Sequence, residues 1–165
     1  MISMNNMTPK IVPLKKKKLV GLSTEMSLVD NRTSELWKNF RQRSSKIVNR
    51  SSDDFISLQE YPANYFQEFS PIAKYVKWAC VEVEDFNSVP EGMNRLILDG
   101  GLFAVFNYKG SAQNVASFFQ YIYGEWIPNS DYNLDNRPHF EVLGAKYKNN
   151  DPNSEEEVWI PIQEK

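Results

Sequence analysis

A chain of 165 residues is long enough for one domain with a real core. Its 41% hydrophobic and 24% charged content is that of a globular protein and excludes a disordered one. A net charge of -2 gives no electrostatic case for nucleic acid. One cysteine, Cys80, and one histidine, His139, exclude an intramolecular disulfide and a multi-cysteine metal site, and argue against a histidine zinc site or a Ser-His or Cys-His catalytic pair.

The N-terminal MISMNNMTPKIVPLKKKK lacks the apolar core of a signal peptide. No run approaches the roughly 20 apolar residues of a membrane span. The expected location is the cytoplasm, with no membrane partner. Residues 1–9 read as a loose leader ended by Pro9, and 10–165 as one domain. Residues 10–29 read as the first strand, and Lys15 to Lys18 within it as a solvated strand edge kept from aggregating by charge. Asp30, Asn31 and Thr33 offer caps for a helix that opens at Ser34-Glu35-Leu36-Trp37. Leu36, Phe40 and Ile47 give that helix an apolar stripe, and it runs to about Val48. Two strands follow, Phe55 to Tyr61 and Ile72 to Glu84; in the second, Ala79, Val81 and Val83 alternate with Cys80, Glu82 and Glu84.

Residues 85–94 (DFNSVPEGMN) form a turn-rich linker, and the order then repeats. Arg95 to Tyr108 is a strand pair or one bent strand interrupted at Asp99-Gly100-Gly101, which lacks the spacing of a phosphate loop and reads as a bulge or turn. The helix from Ser111 places Val115, Phe118, Phe119, Ile122, Tyr123 and Trp126 on one face. Asn129 to Pro138 is a loop, and the last strands are His139 to Leu143 and Val158 to Ile162, joined by the acidic spacer KYKNNDPNSEEE. The expected fold is α+β: two βαββ units, 10–84 and 95–162, forming an antiparallel sheet with two helices on one face. A ligand would sit between the repeats, on the other face if that face is concave.

One residue in the final third stands out. Glu141 is a lone acid among Phe140, Val142 and Leu143, and burying it is costly unless something pairs with it. Composition alone also permits the plainer reading of a solvent-facing strand residue. His139, beside Arg137 and Pro138, reads as a surface residue at a strand start, and Cys80 as a small buried hydrophobe with no partner to activate it.

The order FNYKG, an amphipathic helix ending in EWIP, RPHFEVLG and EVWIPI resembles the GyrI-like small-molecule-binding domain over roughly residues 10–163. This is the bacterial effector-binding domain of AraC-type and MerR-type multidrug regulators, found alone in the DNA gyrase inhibitor protein. The resemblance implies duplicated βαββ units (the SHS2 repeat) and an aromatic pocket whose glutamate, here Glu141, attracts lipophilic cations. The aromatic before the terminal Ile-Pro maps onto Trp159. The sequence departs from the family at Leu143, where Tyr is frequent, and at Gly110-Ser111, where Gly-Pro is frequent. With only about ten residues before the first strand, a stand-alone member without a DNA-binding segment is expected.

The expected ligand residues are Glu141, Trp159, Tyr108, Phe106, Trp78 and Trp126, with Trp37 a weaker candidate. No cofactor and no metal are expected. Three functions stay open. The first, which the residues favour, is a sensor or sequestering protein for lipophilic, cationic small molecules. The second is a hydrolase of reactive electrophiles with Glu141 as base and Tyr108 beside the leaving group. The third is a protein-interaction module of the gyrase-inhibitor kind. The preference for binding rests on finding one plausible buried acid and no second acid, histidine or metal set.

Overall fold

A computed structural model describes residues 8–111, 114–148 and 151–165. Most of the expected leader (1–7), two residues at the expected start of the second helix (112–113) and two in the acidic spacer (149–150) lie outside the described residues.

The strands are β1 (Lys10–Leu14), β2 (Lys17–Met26), β3 (Phe55–Glu60), β4 (Tyr75–Val83), β5 (Asn94–Leu98), β6 (Gly101–Lys109), β7 (Tyr132–Leu134), β8 (His139–Leu143) and β9 (Glu155–Glu164). Helix α1 (Thr33–Arg43) follows β2. Helix α2 (Val115–Tyr121) continues through a π turn, Ile122–Trp126, into α3 (Ile127–Asn129). Every strand pairing among the described residues is antiparallel, and the path runs β1-β6-β9-β8-β3-β4-β2-β5, with β7 beside β9. The two halves carry the same local order, β2-β4-β3 and β6-β9-β8, and meet where β3 pairs with β8. The sheet, the two helical segments and their α+β arrangement are those expected from the sequence.

Several boundaries differ: α1 ends at Arg43, with a 3-10 turn to Lys46, rather than at about Val48, and β4 begins at Tyr75 rather than Ile72. The expected first strand is two strands, broken at Lys15–Lys16, because β1 pairs with β6 and β2 with β4 and β5. A short strand, β7, lies in the expected loop 129–138. The last strand begins at Glu155, so the end of the acidic spacer belongs to the sheet.

The break at Lys15–Lys16 has a partner at Asp99–Gly100. Leu14 faces Gly101 and, beyond the corner, Lys17 faces Leu98, so two bent strands run side by side without losing register. The corner needs glycine. A Cβ on Gly100 would lie 2.5 Å from the Leu14 carbonyl oxygen, and Gly101, at φ +144°, has the Arg137 guanidinium over it. This folding-over joins the two ends of the sheet path and gives the sheet an inside.

The inside is a core of strand residues only: Leu19, Ile56, Leu58, Trp78, Cys80, Leu98, Phe103 and Phe140 are all buried. The helices cover the other face. Leu36 and Phe40 of α1 pack on Val20, Ala79, Val81 and Val83; Phe118 and Ile122 pack on Ala104, Phe106, Tyr108 and Val158. Each strand therefore sends alternate residues into different cores.

Candidate functional site

On the helix-bearing face, the alternation of β3, β4, β8 and β9 lays a polar belt across the middle of the sheet. Lys77 of β4 faces Gln59 of β3, and Ser57 of β3 faces Glu141 of β8. Ser57, Gln59, Lys77 and His139 are all buried. The belt runs between the two helices, and His139 at one end of it meets Tyr123 of the second helical segment. Helix α1 lies on the β2-β4 side and α2 on the β6-β9 side.

The uncovered ground between them is a cavity of about 600 Å³, lined by Trp37, Lys38 and Arg41 of α1, Ser57, Glu141, Leu143, Glu156, and Tyr147 from the β8-β9 connection, with Thr33 and Ser34 at the start of α1. It joins the two halves, α1 and β3 on one side and β8 and β9 on the other. It lies on the helix-bearing face, whereas the sequence reading put a ligand on the opposite face if that face is concave. That side is filled by its own core.

Glu141 is a half-buried acid of this cavity. Its Oε2 is shielded from solvent and has no hydrogen-bond partner. Burial pushes its carboxyl pKa up, while the Lys77 charge and the Gln59 side chain act in the opposite direction. A second acid, Glu156, lines the same cavity; burial and then the Glu141 charge push it up to about 7, with Lys77 opposing. Burial draws the Lys77 ammonium down, against the attraction of Glu141 and Glu156. Neither carboxylate forms an ion pair among the described residues. The Tyr61, Tyr123 and Tyr75 phenols feel the Glu141 charge, and burial foremost raises all three, Tyr75 to about 12.

Of the residues singled out from the sequence, Glu141 and Trp37 line the cavity and the others do not. Trp159 stacks on Phe140 at 5.2 Å and meets Phe103 edge-on, so it lies on the strand-only face. Trp78 belongs to that same core and donates through Nε1 to Glu60. Phe106 and Tyr108 are buried beneath α2, and the Tyr108 hydroxyl donates to the Ser111 carbonyl at 2.5 Å. Trp126 packs edge-on against Phe106 and stacks on Tyr132.

Two other readings are corrected. His139 is buried; its Nδ1 lies 2.9 Å from the Tyr123 hydroxyl, its ring stacks with Phe66, and burial drives its pKa down to about 3. It sits on β8 with the parity of Glu141, pointing to the covered face. The single buried acid becomes a pair. Glu156 hides in the run Glu155-Glu156-Glu157, where identical residues conceal which one points inward; Val158 and Ile160, of the same parity and fully buried, carry that information. Lys77 shares parity with Ala79 and Val81, the signal that would have placed it inside. Cys80 is buried as expected.

Among the described residues no group of acids, histidines and cysteines is arranged to hold a metal ion, and no helix is long and apolar enough to cross a membrane.

The model of the GyrI-like small molecule binding domain family matches residues 7–163. The transcriptional regulator BrlR of Pseudomonas aeruginosa is 28% identical over 158 residues, taking in 95% of this chain and 56% of BrlR, so the chain spans little more than half that relative's length. Among solved structures, the C-terminal domain of EcmrR matches with a TM-score of 0.72 at 12% identity, over 96% of this chain and 98% of that one. SAV2435 bound to tetraphenylphosphonium matches with a TM-score of 0.70 at 14% identity, over 94% and 93%. At such identities the two structures show the fold alone.

Proposed function

Since the chain belongs to the GyrI-like small-molecule-binding family, we propose that its ligand is a lipophilic cation, held in the cavity between α1 and strands β3, β8 and β9. One observation carries this reading: Glu141 presents a solvent-shielded carboxylate oxygen with no partner to a cavity large enough for a drug-sized molecule. A shielded carboxylate that forms no ion pair among the described residues is costly even with the Lys77 charge acting on it, and a ligand cation relieves that cost. Glu156 supplies a second negative group on the same wall. Trp37 and Tyr147 offer aromatic faces, so a delocalised cation gains both charge and π contact. The role is that of a sensor or sequestering domain.

Tetraphenylphosphonium, the ligand of SAV2435, is a suitable probe. Glu141→Gln keeps the shape of the site and removes the charge. A lost charge-assisted contact of roughly 1.5–3 kcal/mol corresponds to a fall in affinity of about tenfold or more. Calorimetric titration of both proteins checks this. Equal affinities, with both proteins folded, would remove Glu141 from the site.

A second reading, hydrolysis of a reactive electrophile, is favoured by the two carboxyls. Glu156, pushed up to about 7 by burial and by the Glu141 charge, can give or take a proton near neutral pH, the capacity that acid-base catalysis needs. Tyr108, whose hydroxyl is bound to the Ser111 carbonyl, is not part of it. Multiple turnover of aryl esters or strained electrophiles, lost in both Glu141→Gln and Glu156→Gln, would favour the enzyme.

A further inference from the structure

The cavity is not uniformly acidic. Its floor carries Glu141 and Glu156, but its α1 wall carries Lys38 and Arg41, one turn apart on the same helix face and both exposed. Neither cation forms an ion pair among the described residues, although Glu156 lines the same cavity. Arg41 is held in place: its guanidinium lies 4.6 Å from the Phe55 ring centroid and 5.5 Å from that of Trp37. A guanidinium held over aromatic rings still has N–H groups to donate. Tyr147 lies between the two ends of the cavity, close enough for its phenol to feel both Glu156 and Arg41. The cavity therefore has an acidic floor and a basic rim, joined by an aromatic wall.

A simple lipophilic cation satisfies only the floor and is repelled at the rim. On the footing of the cation-binding reading above, we propose that the preferred ligands are bipolar: a flat aromatic cation that meets Glu141 and Glu156 at its inner end and carries a carboxylate or sulfonate at its outer end, against Lys38 and Arg41. The class is zwitterionic aromatic compounds rather than those with a net positive charge. The anionic group gains hydrogen bonds from an ammonium and a guanidinium fork at the cavity mouth. Its attachment also fixes which way the ligand enters. The buried Lys77 ammonium, attracted by both carboxylates, offsets part of their charge.

The test uses a matched pair of dyes, tetramethylrhodamine with a free carboxylate and its methyl ester, which share the cationic ring system and differ in the anionic group. Fluorescence anisotropy with the intact chain gives both affinities. The expected result is that the zwitterion binds about threefold to tenfold more tightly than the ester. The double variant Lys38→Gln/Arg41→Gln should bring the ratio to about one, and Lys38→Glu should tip it toward the ester, with thermal melts showing that the variants remain folded. Equal affinities in the wild type, or tighter binding of the ester, would overturn the bipolar class and leave the cation reading standing. An unchanged ratio in the double variant would overturn the assignment to these two residues. Binding of neither dye, or binding of both that ignores Glu141→Gln, would overturn the cation reading itself.

Discussion

Strand β8 faces two environments through alternate residues. Phe140 points into the strand-only core, where it stacks on Trp159 and meets Phe103 edge-on, with no room left. Glu141 points the other way, into a cavity where its Oε2 has no partner. One strand thus separates the part of the molecule that holds it together from the part left unsatisfied. The closed face is a core of buried apolar groups, whereas the other face carries a polar belt with a cavity between the helices. A sheet that folds over on itself can leave one face incompletely covered, because its other face already supplies a complete core.

This contrast can be broken by mutation. The largest effect belongs to the closed face. Phe140→Ala should lower stability by about 3–5 kcal/mol, measured by urea denaturation, through lost burial and the cavity left behind. Its affinity for tetraphenylphosphonium, counted per folded molecule, should stay within about twofold. Stable protein with lost binding would place Phe140 in the site.

A smaller effect separates two tryptophans. Trp37 lines the cavity and Trp159 does not. Trp37→Leu should weaken the cation by about threefold to tenfold, the scale of a partly desolvated cation–π contact. Trp159→Leu should leave affinity unchanged while lowering the melting temperature. The reverse pattern would exchange the roles of the two faces.

The sequence made part of this division legible. Glu141 announced itself as one acid in an apolar strand, and the helices announced themselves by periodicity, because in both cases a single local pattern carried the information. The face of Trp159 did not. Its direction depends on register, and the pairing of Phe140 with Trp159 sets both on one side while Glu141 takes the other. Glu156 was hidden by its identical neighbours. The strand corner was half visible, as Asp99-Gly100-Gly101, but its partner at Lys15–Lys16 looked like continuous strand, because nothing local shows that two distant breaks fall opposite each other. Lys77 and His139 were within reach of parity, had each been read on its strand's buried side.

The smallest expected effects are those of pH. Glu156 sits at about 7 in the folded protein, above the ordinary 4.5. The folded state therefore binds this proton more tightly than the unfolded chain. The wild type gains stability from this group as pH falls from 7 toward 4.5 and loses it as pH rises through 7. Glu156→Gln should melt a few degrees higher than wild type at about pH 8, with the difference vanishing below about pH 4.5. Comparing the two proteins at each pH cancels the opposite contribution of His139, which resists protonation and destabilises the fold in acid. Cation affinity should rise with pH through 7 in the wild type and rise less in Glu156→Gln, since a ligand cation favours the ionised carboxylate. A wild-type affinity flat across that range would remove Glu156 from the contact.

The proposed cation lies on the helix-bearing face, beside Glu141 and Glu156. Tetraphenylarsonium has the shape and charge of tetraphenylphosphonium and a strong anomalous signal, so crystals grown with it report the position of the charge directly. One arsenic peak is expected in the cavity between α1 and strands β3, β8 and β9, absent when Glu141→Gln is crystallised in the same way. A peak on the strand-only face, or one that persists unchanged in Glu141→Gln, would contradict that placement.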